Sequence, residues 1–164
     1  MGVNVSLRQF EQPEFVDLVA RVLAETDLSP AMLELEITER VIMRNETQAL
    51  DALKRLHQLG IRLAVDDFGT GYSSLNYLKR LPIHRLKIDK SFVDDLPADH
   101  DDAVICRAII SLGQALALEI IAEGVENDAQ RGFLLNEGCQ LGQGYHFWRP
   151  LPAEEIAQTF TPGA

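Results

Sequence analysis

Two periodicities alternate along the chain. Apolar residues recur at every second position in short runs, and at helical spacing in the runs between them. Val3-Asn4-Val5-Ser6-Leu7 alternates apolar and polar and predicts a strand. Phe15, Leu18, Val19, Val22 and Leu23 share one helical face, so a helix opens at Pro13 and runs to Glu25. Met32 to Glu39 reads as strand, with the carboxylates of Glu34 and Glu36 on one face. Leu50, Leu53, Leu56 and Leu59 line the next helix; Asn45 caps it, Gln48 is placed for a capping box, and Gly60 stops it. Ile61 to Val65 is a buried strand ending in Asp66-Asp67, followed by a loop with two glycines.

The beat continues. Tyr72 to Leu81 is a short helical piece ended by Pro82, and Arg85 to Asp89 is a strand. Asp101 or Asp102 caps a helix that turns Ile105, Ala108, Ile109, Leu112 and Leu116 inward. Glu119 to Ala122 is a strand that ends at Glu123. Asn127 and Gln130 form another capping box, for a helix reaching Gly138. Cys139 to Gly144 is a last strand and turn, and Pro152 opens a terminal helix through Ile156 and Phe160. About six strand–helix units with short connectors predict an α/β fold, parallel strands with outer helices. A TIM-like (β/α)8 barrel needs about eight units and about 250 residues. The 164 residues therefore read as three quarters of such a barrel, with its N-terminal quarter absent. A smaller open α/β sheet fits the same pattern.

Composition adds limits. Hydrophobic residues make up 46% and charged residues 24%, the balance of a globular domain. There is no apolar run of membrane-spanning length and no signal peptide, so a cytoplasmic domain without a membrane segment is expected. A formal charge of -10 disfavours a nucleic-acid polymer or an anionic membrane as partner unless cations intervene. Cys106 and Cys139 lack CxxC spacing and read as free thiols of a reducing compartment.

The acidity gathers at predicted strand ends. Asn4 lies in the first strand, Glu36 in the second, and Asp66 with Asp67 at the third. Lys87 and Asp89 belong to the fourth, Glu123 ends the fifth, and Gln143 follows the sixth. Asp-Asp before Gly is also ordinary turn chemistry. In a parallel barrel, however, these positions converge on the C-terminal face. Four carboxylates and an amide are hard oxygen donors that suit Mg²⁺ or Mn²⁺, and the four histidines lack metal-ligand spacing. Two metals about 4 Å apart would share a carboxylate and clamp a phosphodiester. Lys87 would orient the attacking water or stabilise phosphoryl charge. Glu39, just past its strand, is placed to brace Gly69-Thr70-Gly71. An aldolase-like barrel with Lys87 as a Schiff-base lysine is a further alternative.

The run Asp66-Asp67-Phe68-Gly69-Thr70-Gly71-Tyr72-Ser73-Ser74-Leu75 resembles the signature of the EAL family of cyclic-di-GMP phosphodiesterases. The likeness extends to Val3–Ser6, Leu35–Glu39, Leu86–Phe92, Ala122–Glu126 and Gln143-Gly144-Tyr145, in order and spacing. It implies a modified TIM barrel that hydrolyses cyclic di-GMP to linear pGpG with two metal ions, Mg²⁺ or Mn²⁺, per site. By position, Asn4, Glu36 and Asp66 resemble ligands of one metal, and Asp66, Asp67 and Glu123 ligands of the second. Lys87 resembles the water-orienting lysine. Glu39 resembles the glutamate holding the loop Phe68, Gly69, Thr70, Gly71, Tyr72 and Ser73, which in the family couples metal binding to dimerisation. Gln143, Glu126 and Asp89 match substrate-side positions. Family members commonly dimerise and sit beside sensor or GGDEF domains, in parent proteins some of which are membrane-anchored.

Two departures accompany the resemblance. The Glu-Ala-Leu motif that names the family, and whose glutamate binds metal, does not occur: Ala49-Leu50 follows Gln48, and Ala115-Leu116 follows Gln114. This predicts weak or no activity of the chain alone, a fragment's open strand edges, and association of copies to cover them. A non-catalytic cyclic-di-GMP receptor or dimerisation module is the alternative. Second, His146-Phe147-Trp148-Arg149-Pro150 stands where the family more often has a small residue and a lysine near Trp148 and Arg149. The basic character is retained, which predicts a local effect.

Overall fold

The computed structural model describes residues 1–71 and 75–160. Six parallel strands lie side by side in chain order: β1 (Gly2–Val5), β2 (Glu34–Thr38), β3 (Arg62–Phe68), β4 (Arg85–Ile88), β5 (Glu119–Ala122) and β6 (Leu141–Gly142). A doubly wound sheet reverses its strand order at a switch point. Unbroken sequential order is instead that of a TIM-like barrel wall.

The helices are α1 (Leu7–Phe10), α2 (Phe15–Thr26), α3 (Glu39–Arg44), α4 (Glu46–Gln58), α5 (Leu75–Leu78), α6 (His100–Ala115), α7 (Asp128–Asn136) and α8 (Ala153–Phe160). Among the described residues, no helix is long and apolar enough to cross a membrane.

Side-chain alternation divides the strands' work. Leu35, Ile37, Leu63, Val65, Leu86, Ile88, Ile120 and Ala122 are buried and join one core with Leu53, Leu56, Cys106, Ile109 and Ile110 from the helices. The alternate positions are polar at both ends of the sheet. At the N-terminal end, Glu34, Arg62, Arg85 and Glu119 form an ion-pair lattice: Arg85 meets Glu34 at 2.6 Å and Glu119 at 2.7 Å, and Arg62 meets Glu119 at 2.5 Å. One residue pair further up stand Glu36 and Lys87, then Asp66 and Glu123. Glu34 and Glu36 do share a face, but they serve opposite ends of the sheet.

Several boundaries differ from the sequence reading. The first strand stops at Val5, because Ser6 caps α1 through a complete capping box with Gln9. Pro13 precedes α2, whose N-cap is Glu14. Met32 closes a 3-10 turn (Pro30–Met32), and Glu39 starts α3 rather than ending a strand. α6 is capped by Asp99, whose carboxylate accepts from the amides of Asp101 and Asp102. Three aspartates in four positions compete for that cap, and the chain direction selects the earliest. The expected helix from Tyr72 begins at Leu75 among the described residues. The capping box of Asn127 with Gln130 forms as expected, and Asn45 caps α4.

Candidate active site

The C-terminal ends of β2 to β5 bring Glu36, Asp66, Asp67, Lys87 and Glu123 together. β3 makes the decisive move. Consecutive residues of a regular strand point to opposite faces, which would separate Asp66 from Asp67. Here the β3–β4 register shifts between Val65 and Phe68, and Asp67 takes a left-handed backbone with φ 52°. Aspartate tolerates that conformation better than most residues. The irregularity re-aims Asp67. As a result, carboxylate oxygens of Asp66, Asp67 and Glu123 all lie within 4.8 Å of one another.

Lys87 sits at the centre, its side chain only 5% exposed. Its ammonium contacts Glu123 at 2.7 Å, Asp66 at 3.0 Å and also Glu36. Burial works against its charge, but the hydrogen bonds it donates to Glu123, Glu36 and Asp66 outweigh that and hold it protonated above the ordinary lysine range. Burial pushes the Glu123 carboxyl up, against the pull of Lys87. Asp67 is pushed up by burial, then by Asp66 and Asp89. Three acids thus share one cation, and the charged forms of Glu123 and Asp67 are disfavoured. Oxygen donors at this spacing, short of positive charge, fit a hard divalent cation.

The remaining expected residues are placed as follows. Asn4 on β1 lies opposite Glu36 in register. Gly2, two positions earlier on the same face, is so near Glu36 that a β-carbon there would lie 2.1 Å from its carboxylate oxygen. Glu39, 3% exposed, opens α3 and accepts from the Gly69 amide at 3.1 Å. Phe68 ends β3 in the core, and Thr70 donates its hydroxyl to the Asp67 carbonyl at 2.9 Å. Tyr72 and Ser73 lie outside the described residues. Asp89 caps the turn after β4, accepting from the Ser91 amide at 2.9 Å. Glu126 pairs with Lys90 at 2.7 Å, and its amide is held by buried Gln130 at 2.7 Å. Gln143 follows β6; its amide donates to Ala122 and its carbonyl accepts from Val125.

Sequence reasoning missed three things here. It did not pair Lys87 with its three carboxylates, because those contacts cross strands 51, 21 and 36 residues away. The role of Gln130 beneath Glu126 was also missed, as was the ion-pair lattice at the other end. Arginines at the starts of β3 and β4, opposite the Glu34 and Glu119 starts, were the available signal for the lattice.

The EAL domain family model matches residues 1–150. The chain is 47% identical over 158 residues to the signaling protein YkoW of Bacillus subtilis, covering 96% of this chain and 20% of that protein. It is 47% identical over 156 residues to the bifunctional diguanylate cyclase/cyclic di-GMP phosphodiesterase MucR of Pseudomonas aeruginosa, covering 95% of this chain and 23% of that one. Among solved structures, the PaMucR phosphodiesterase in its c-di-GMP complex superposes with TM-score 0.92 at 48% identity, covering 94% of this chain and 63% of that chain. The EAL domain of Mycobacterium smegmatis DcpA gives TM-score 0.90 at 40% identity, covering 96% of this chain and 71% of that one. The chain thus spans about a fifth of the length of these curated relatives.

Proposed function

The chain belongs to the EAL-domain family, and we propose that it carries the catalytic face of a metal-dependent phosphodiesterase that opens cyclic di-GMP to linear pGpG. The carrying observation is Lys87, buried among Glu36, Asp66 and Glu123 with Asp67 alongside. The relatives named for cyclic di-GMP phosphodiesterase activity support the substrate.

Glu36, Asp66 and Asn4 would hold one cation, and Asp66, Asp67 and Glu123 the other. Bound Mg²⁺ or Mn²⁺ supplies charge neutralisation for the phosphodiester and acidifies a water. Lys87 is protonated, so it donates: it orients the attacking water and stabilises charge on a phosphoryl oxygen. Water adds to phosphorus, the bond to the departing 3′ oxygen breaks, and that oxygen gains the water's proton overall. Glu39 holds the loop at Gly69, and Glu126, Asp89 and Gln143 line the substrate side.

The parent protein joins this domain to cyclase or sensor domains, works in the cytoplasm, and acts as a homodimer. Turnover by the chain alone is expected to be weak, because β1, which carries Asn4, is paired on one side only among the described residues.

The test is cation-dependent binding. Calorimetry with Mn²⁺ and cyclic di-GMP is expected to show binding that Asp66→Asn abolishes, with pGpG as the product in chromatography. Cyclic di-GMP binding that ignores both the cation and Asp66→Asn would sink the reading.

A further inference from the structure

Helices α1, α4 and α7 each carry a glutamine at their third residue, and the three glutamines behave differently. Gln9 and Gln48 are exposed and bond to the cap of their own helix, Gln9 to Ser6 and Gln48 to Asn45. Gln130 of α7 is 2% exposed. Its Oε1 accepts from the Asn127 amide at 3.1 Å, the ordinary capping-box bond. The same oxygen accepts from the Glu126 amide at 2.7 Å, one residue outside the box. Its Nε2 donates to the Asp94 carbonyl at 2.9 Å, on the segment that follows β4. Capping needs neither of these last two bonds, nor the burial of the amide, which is costly unless each polar atom is satisfied.

Gln130 therefore joins the segments that leave β4 and β5 at their carboxylate ends. Lys90 of the first segment lies against Gly124 of the second, where a β-carbon would come 2.3 Å from the Lys90 Cγ. Lys90 also pairs with Glu126 at 2.7 Å, but the two side chains are 50% and 44% exposed, and a pair so exposed fixes little. The start of the second segment is held by the strands: the Glu123 amide donates to the Ile88 carbonyl at 3.1 Å, and the Val125 amide to the Gln143 carbonyl at 3.0 Å. The ladder anchors Glu123; the anchor of Glu126 is the buried glutamine.

We propose that Gln130 is a positioning residue for nucleotide binding: it touches neither nucleotide nor metal, and it acts by holding Glu126 at the substrate side of the bowl. This rests on the nucleotide reading above and deepens it. The metal ligands and Glu126 are held by different parts of the fold, so the two kinds of binding separate when Gln130 is lost. A lost hydrogen bond to a charged group weakens binding about 10-fold or more. Gln130→Met, similar in length but without the amide, should therefore weaken cyclic di-GMP binding about 10-fold and leave Mn²⁺ binding within about 2-fold of the unaltered chain.

Calorimetry measures Mn²⁺ alone, then cyclic di-GMP in excess Mn²⁺, and hydrogen exchange follows the Glu126 and Asn127 amides. The control is Asn127→Ala, which removes the α7 cap but leaves the Gln130 side chain to hold Glu126. Weaker nucleotide binding with unchanged Mn²⁺ binding and faster exchange at Glu126 in Gln130→Met, together with full nucleotide affinity in Asn127→Ala, supports the proposal. Nucleotide affinity unchanged in Gln130→Met overturns it and leaves the phosphodiesterase reading standing. So does loss of Mn²⁺ and nucleotide binding together, or an equal loss of nucleotide binding in Asn127→Ala, since either marks general loosening. If Gln130→Met does not fold, Gln130→Asn takes its place with the same expected and contrary results, being polar but too short to reach both Glu126 and Asp94. An unaltered chain that binds no cyclic di-GMP in Mn²⁺ overturns both readings.

Discussion

Replacing Lys87 by methionine tests what holds the bowl together. The Lys87 side chain is 5% exposed and the side chains of its carboxylate partners are 10 to 20% exposed. Methionine fills much of the volume and removes the one cation that, among the described residues, faces Glu36, Asp66 and Glu123 at once. Deleting one partner of a buried ion pair costs about 3–5 kcal/mol, because the remaining charge is stranded. Domains of this kind are stable by about 5–15 kcal/mol, so the loss is a large fraction. At about 2–4 °C per kcal/mol for a chain of this size, Tm should fall by about 6–20 °C. The assay is urea and thermal unfolding in EDTA at neutral pH, with and without added Mg²⁺. The variant should recover more stability from Mg²⁺ than the parent does, since the ammonium no longer competes for the same oxygens. A variant within about 1 kcal/mol of the parent in EDTA, the worth of an exposed pair, would refute the reasoning.

Three further outcomes are expected. Gly144→Ala drives a β-carbon into the Val125 backbone and should lower the urea midpoint sharply, whereas Gly132→Ala, inside α7 with nothing within 4 Å, should raise stability by about 0.5–1 kcal/mol. His84 is held below the ordinary histidine range by burial and by His57, while its Nδ1 accepts from the Leu63 amide at 3.1 Å. The unfolded chain therefore takes up a proton first as pH falls below about 6.5, and stability drops there; equal pH slopes for the parent and His84→Asn between neutral and mildly acid pH would contradict this. Burial pushes the Cys106 thiol up to about 12, and the group bonds the Phe92 carbonyl at 3.3 Å, so it should resist alkylation until the chain is unfolded; labelling of Cys106 in the native chain, read by mass spectrometry, is the contrary result.

The strands and long helices were legible because their burial pattern is written in local spacing. Leu50, Leu53 and Leu56 mark α4, and Leu35, Ile37, Leu63 and Val65 mark the outward sides of β2 and β3. Short helices were not: α1 and α3 span too few turns to show a period, so Leu7 and Glu39 were absorbed into neighbouring strands. Asp66, Asp67 and Glu123 were legible as an acidic set because each falls at a strand end. Their mutual approach depends on the left-handed Asp67 and the shifted register, a backbone detail that side-chain pattern does not encode. The tie between Glu39 and the loop at Gly69 was legible from the place of Glu39 just past its strand, and the resemblance agreed; the bond itself, at 3.1 Å, needs the fold.

The two polar ends of the sheet differ in charge balance. Glu34 and Glu119 are matched by Arg62 and Arg85, whereas among the described residues Glu36, Asp66 and Glu123 share the single cation Lys87. Neutral at its base and anionic at its mouth, the wall has an electrical polarity. A phosphate arriving first meets repulsion; arriving after a cation, it meets attraction. Under the proposed function, the inorganic ion would load before the nucleotide, and the supply of that ion would set how readily the nucleotide is admitted.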